Sequence, residues 1–163
     1  MNVVKQKIIV SAIISIACLF IVVQASAEDI KETVKYKAPS MSQVVGFISK
    51  LSKGTVSVDP GQCIATTKMV KNTKTFKYII PLKEINPSPD YVTPHLKNVI
   101  LTVAGHKKKI QRVEESGKVE MKSKVELNTP DEDSAEKLAK AIRYLISLCG
   151  GPTCVDCDPF MWQ

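Results

Sequence analysis

Residues 118–149 read KVEMKSKVELNTPDEDSAEKLAKAIRYLISLC, and two periods meet inside this stretch. From Lys118 to Leu127 the chain alternates, with Val119, Met121, Ser123, Val125 and Leu127 on one side and Lys118, Glu120, Lys122, Lys124 and Glu126 on the other. A period of two predicts a strand with one face on a core and the other in water. Thr129-Pro130-Asp131-Glu132 then combines an N-cap, a proline at the first helical position, early acidic residues and a Glu at the capping-box site. Beyond it Ala135, Leu138, Ala139, Ile142, Leu145, Ile146 and Cys149 recur at spacings of three and four, which predicts a helix with one stripe facing a sheet. Gly150-Gly151-Pro152 stops that helix, because the glycines permit a left-handed turn and the proline forbids continuation.

Working back along the chain, the period of two persists to about Thr55. Ile110 to Val113 forms a hairpin with the alternating strand around Glu114-Glu115-Ser116-Gly117, and Val99 to Ala104, apolar on both faces, reads as a central strand. Asn86 to Pro94 holds three prolines and reads as a loop. Cys63 to Val70 and Thr75 to Leu82 pair across a Lys71-Asn72-Thr73-Lys74 turn, with Phe76, Tyr78, Ile80 and Leu82 on one face. Pro81, which has no donor for a ladder, marks an edge or a strand end. Ser40-Met41-Ser42-Gln43 fits a capping box, and Val44, Val45, Ile48 and Leu51 share a face of the helix it opens, running from Met41 to about Ser52 and ending at Lys53-Gly54. The order is α+β: an N-terminal helix, about five antiparallel strands in a strongly bent sheet or partial barrel, and a closing C-terminal amphipathic helix.

In its run Val99 to Ala104, its hairpin Ile110 to Leu127 and its capped helix Thr129 to Cys149, the chain resembles small exported bacterial proteins of unassigned role with a pleckstrin-homology-like fold. That resemblance implies a bent antiparallel sheet closed at one end by the last helix. It is one of architecture, carries over no catalytic residue, and the N-terminal helix departs from the basic plan.

The chain has 163 residues and a net charge of +7, which is the size of one domain after a leader is set aside. Residues 1–27 divide as a secretory signal peptide: Lys5 and Lys7, an apolar run from Ile8 to Val23, then Ala25-Ser26-Ala27. The run is shorter than the roughly 20 residues that span a bilayer as a helix, so cleavage after Ala27 is expected, with no transmembrane span remaining. An uncleaved anchor and a lipidated Cys18 are the rival readings. The expected organisation is a signal peptide at 1–27, a flexible arm at 28–39, one domain at 40–149 and a cysteine-containing tail at 150–163. The mature protein is then periplasmic or secreted.

Four cysteines remain after cleavage, Cys63, Cys149, Cys154 and Cys157, and an even number in an exported chain favours disulfides. We expect Cys63 with Cys149, pinning the first strand to the closing helix, and Cys154 with Cys157 as a small ring. Cys63 joined to Cys154 or Cys157 is the alternative. Cys154-Val155-Asp156-Cys157 also has the spacing of a redox dithiol. Its position after a helix end, beside Asp156 and Asp158, disfavours the thiolate such chemistry needs, and a zinc site would require reduced thiols in an oxidising compartment.

No phosphate loop, metal-type His spacing or nucleophile elbow occurs, and the only histidines, His95 and His106, read as exposed loop residues. No catalytic residue, metal or cofactor is expected. The basic residues are almost all Lys, with Arg112 and Arg143 the only arginines, which argues against sequence-specific nucleic-acid binding. Lys68, Lys71, Lys74 and Lys77 surround one turn and Lys107, Lys108 and Lys109 another. If both turns lie at one end of the sheet they form a positive rim for anionic headgroups or other envelope polyanions. The expected role is a noncatalytic binding or accessory module of the envelope, its partner an anionic surface or an envelope protein. A thiol-disulfide protein and a structural subunit are the alternatives.

Overall fold

The structure, a computed structural model, describes residues 38–154. The leader, residues 28–37 of the arm, and Cys157 with the rest of the tail beyond Cys154 lie outside the described residues. Within them the fold is α+β, with two helices and eight strands in two antiparallel sheets that do not close into a barrel.

Helix α1, Met41–Leu51, opens with its capping box formed. The Ser40 side chain accepts the Gln43 backbone N–H, and the Gln43 side chain accepts the Ser40 N–H at 2.8 Å. Val44 and Ile48, four apart, are its buried residues. β1 (Val56–Asp59), β2 (Ile64–Lys71) and β3 (Lys74–Pro81) form a meander, and β6 (Ile110–Glu114) and β7 (Val119–Lys122) extend it, so the first sheet runs β1-β2-β3-β6-β7. β4 (Val92–His95), β5 (Asn98–Thr102) and β8 (Lys124–Asn128) form the second, with β5 central.

Eight strands instead of about five reflect three departures from the expected pattern. Val56–Asp59 is a strand, paired with Ile64 to Thr67. The end of the Pro-rich segment is also a strand rather than loop, so His95 is a strand residue. Pro94 is accommodated because β4 is an edge and the antiparallel ladder alternates. Thr102 donates to the Tyr91 carbonyl, so the nitrogens of Val92 and Pro94 point away from β5. Finally, the alternating segment 118–127 is two strands and not one. The chain bends at Ser123, leaves the first sheet and joins the second, and the backbone carbonyls of Lys122 and Ser123 accept from Lys109 and Val103 respectively.

That bend corrects the inward assignment of Val119 and Met121. Val125 and Leu127 are buried as expected, but Val119 and Met121 are exposed and Glu120 and Lys122 share the core-side face with Ile110 and Arg112. The residue at the bend displaces the alternation by one, the usual effect of an extra residue in a strand.

Helix α2, Glu132–Leu148, packs against α1 on one side and β4 and β5 on the other. Its buried set therefore widens beyond one stripe to include Ala141 and Arg143. Its N-cap is Asp131 and not Thr129, because the Asp131 carboxylate reaches the Ser134 N–H at 2.7 Å. Pro130 then precedes the cap, and the Thr129 N–H donates to the Lys97 carbonyl. The helix ends at Gly150, φ 78°, with Gly151 N–H donating to Ile146 O at 3.0 Å. A Cβ on Gly151 would sit 2.7 Å from the Ile146 side chain. One apolar core joins both helices and both sheets through Ile48, Ile80, Leu101, Ile110, Leu127, Leu138 and Leu145.

Candidate functional site

Cys63 and Cys149 are disulfide-bonded, with Cα atoms 5.8 Å apart across 86 residues of sequence. A turn aims the first cysteine: the Asp59 carboxylate accepts the N–H groups of Gly61 and Gln62, and Cys63 follows at φ 55°. Cys149 is the C-cap of α2. Both are buried, which shields the bond from exchange. Cys154 is disulfide-bonded as well. Among the described residues no group of three His, Cys, Asp or Glu gathers to hold a metal ion, and no helix is long and apolar enough to cross a membrane. His95 ends β4 and His106 follows Gly105 in a short 3-10 turn, both exposed.

The concentrated charge is basic, and the ladder decides how it is grouped. β2 and β3 join through Asn72 and Thr73, both at positive φ, 50° and 64°, the conformation that a two-residue hairpin requires. The resulting register sets Lys68 opposite Lys77 and Lys71 opposite Lys74. Like charges directly opposite destabilise a sheet, and among the described residues no carboxylate lies within ion-pair distance of any of these four. Lys68 and Lys77 lie on the outer face, while Lys71 and Lys74 continue the core-side face past the end of the core.

Lys107, Lys108 and Lys109 do not join them. β6 begins beside the far end of β3, with Ile79 opposite Gln111 and Phe76 opposite Glu114. The two basic turns are therefore at opposite ends of an eight-residue strand, roughly 25 Å apart at about 3.3 Å per residue. The single rim over both turns does not form. Lys109 instead lies 3.8 Å from Glu84.

The β6–β7 turn, by contrast, arrives beside Lys71 and Lys74 and brings a network that sequence spacing did not reveal. Arg112 stands over the Phe76 ring at 4.6 Å and pairs with Glu120 at 2.7 Å and Glu114 at 3.7 Å. Lys122 and Lys118 also reach Glu120, at 2.9 and 3.6 Å. The hydrogen bond from Lys122 holds the Glu120 carboxyl below the usual range, against an opposing effect of burial and with Arg112 and Lys118 adding to it. These pairs are cross-strand neighbours: Arg112 faces Glu120 and Ile110 faces Lys122. Only the Ser123 bend turns that face inward, so alternation alone pointed the network the wrong way.

Beside this network a groove of about 260 Å³ opens between β2–β3 and β8, with Met69, Tyr78 and Val125 as apolar lining and Lys71, Lys122 and Lys124 around it. Lys124 lies 3.8 Å from Glu126, which shares the lining. The arrangement presents ammonium groups on a rigid sheet. Such groups attract anions. No protein-family model, curated protein or solved structure matches the chain.

Proposed function

We propose that the chain is an exported, noncatalytic binding or accessory module of the cell envelope, which uses the β2–β3 end of its first sheet to contact an anionic surface. The observation that carries this reading is the pair of lysine pairs, Lys68 with Lys77 and Lys71 with Lys74, held opposite each other with no carboxylate in ion-pair contact among the described residues, although Glu114 and Glu115 line the same shallow depression as Lys68 and Lys77. Such repulsion lowers stability, and a polyanion relieves it, so binding and folding are coupled in the same direction. Export rests on the leader pattern of residues 1–27 and accords with the Cys63–Cys149 bond, since disulfides persist in oxidising compartments. The pleckstrin-homology-like comparison belongs to the same proposal: antiparallel strands followed by a C-terminal helix favour it, while the division into two sheets and α1 ahead of them depart from it.

Binding to inorganic polyphosphate, followed by anisotropy of the labelled protein at rising salt, tests the reading. Each Lys near an anionic surface contributes about 1 kcal/mol, so Lys71→Gln with Lys74→Gln weakens binding about thirtyfold at low salt. No binding, or binding indifferent to salt, overturns it.

One observation favours a second reading, a structural subunit of an envelope complex: Val119 and Met121 are exposed on a sheet face that no described helix covers. A thiol-disulfide role for Cys154 and Cys157 would give insulin reduction that disappears in Cys154→Ser.

A further inference from the structure

We propose that the outer face of the five-stranded sheet seats on the interface of an anionic lipid bilayer, an inference that rests on the anionic-surface reading and names the surface and the source of the charge. The face follows from the ladder. Lys68, Lys77, Val113 and Val119 lie directly opposite one another across β2, β3, β6 and β7, and Thr66, Ile79, Gln111 and Met121 form the next row. Val70 stands one row nearer the turn, opposite Thr75.

Three of these side chains are among the large apolar residues most exposed in the described chain: Val70 at 74%, Val119 at 53% and Met121 at 42%. Val113 and Ile79 are half-buried between them. An outer sheet face in contact only with water reads as polar positions in alternation, whereas this one carries five apolar side chains in adjoining rows. The described helices do not cover it, because α1 packs on α2 and β1, and α2 packs on α1, β4 and β5. Exposed apolar area grouped in this way marks an interaction surface.

Charge selects the occupant. Lys68 and Lys77 share the apolar rows, and Lys71 and Lys74 rim the adjacent turn. A second copy packed face to face would bring four lysines from each partner together with only the rim carboxylate Glu115 near Lys68 and Lys77, and would leave the remaining ammonium groups desolvated and unpaired. A bilayer interface has no such conflict. Lysine stems lie along apolar surface while their ammonium groups reach phosphates, valine and methionine side chains enter the headgroup boundary, and the negative surface potential attracts the charges.

The test is co-sedimentation of the chain, purified after export from an expressing bacterium, with vesicles of neutral phosphatidylcholine or of phosphatidylcholine with phosphatidylglycerol. Wild type pellets with the anionic vesicles and not with the neutral ones. Lys68→Gln with Lys77→Gln lowers partitioning about thirtyfold. Val119→Thr with Met121→Ser, surface changes that leave the thermal midpoint unmoved, lowers it about tenfold and does so even at high salt. Lys107→Gln with Lys108→Gln removes the same charge from the opposite end and leaves partitioning unchanged. All variants carry the same N-terminal segment, so its contribution cancels. Equal loss from the Lys107 and Lys108 changes, or none from the Val119 and Met121 changes, overturns the assignment of the face. Binding to polyphosphate with none to anionic vesicles overturns this inference alone. Failure to bind either removes the parent reading too, and a concentration-dependent dimer abolished by the Val119 and Met121 changes transfers the face to a second copy.

Discussion

Arg143 of α2 donates from both Nε and Nη2 to the carbonyl oxygen of Val92 in β4, at 3.2 and 2.9 Å and 51 residues away in sequence. Because the Val92 carbonyl points away from β5, it would otherwise be an unpaired acceptor at a sheet edge beneath a helix. The guanidinium closes that edge against pairing with another strand. Hydrogen bonds to charged groups contribute about 1.5–3 kcal/mol. Arg143→Met should therefore lower stability by about 2 kcal/mol in denaturant unfolding and speed amide exchange in β4 more than in β2.

The Cys63–Cys149 bond joins the turn before β2 to the end of α2 over 86 residues. A loop of that length corresponds to about 4 kcal/mol in the chain-entropy treatment. The Cys63→Ser, Cys149→Ser double variant should show that loss in urea unfolding, and reductant should then have little further effect on it. An unchanged midpoint in the double variant would contradict the assignment.

Thr73 occupies the second position of the β2–β3 turn at φ 64°, where a β-branched residue is strained and glycine is not. Thr73→Gly should raise stability by roughly 0.5–1 kcal/mol, read as an upward shift of the thermal midpoint. It leaves all four lysines in place, so polyphosphate affinity should hold or rise slightly.

Among the described residues two carboxyl groups are held below their usual range: Glu120, chiefly by the hydrogen bond from Lys122, and Asp131, by the Ser134 N–H at the start of α2. A group depressed in the folded state adds stability above its unfolded value and loses it as pH falls through the folded value. The thermal midpoint should accordingly be level above about pH 5 and fall as the pH drops through 4 and below. Glu120→Gln and Asp131→Asn should each flatten part of that fall, and a midpoint that rises on acidification would reverse the sign of the argument.

Local patterns were legible in the residues themselves. The capping box at Ser40 and Gln43, the glycine stop at Gly150, the Lys71–Lys74 turn and the β6–β7 hairpin depend on neighbours a few positions apart, so caps, turn residues and periodicity suffice to specify them. Even there the cap of α2 moved from Thr129 to Asp131, because two candidate side chains stood close together and only helical geometry chose between them.

What the sequence determined by itself was therefore the α+β order and the two amphipathic helices with their apolar stripes, since each is written in short-range chemistry. What only the tertiary structure decided was which face of each strand is covered and which charges meet. The bend at Ser123 reversed Val119 and Met121, the register between β3 and β6 separated Lys107–Lys109 from Lys71 and Lys74, and Arg112 met Glu120 on a face that alternation had assigned to water. These depend on pairing between segments far apart in the chain, where one residue of slip or one bend exchanges the inside of a strand for its outside.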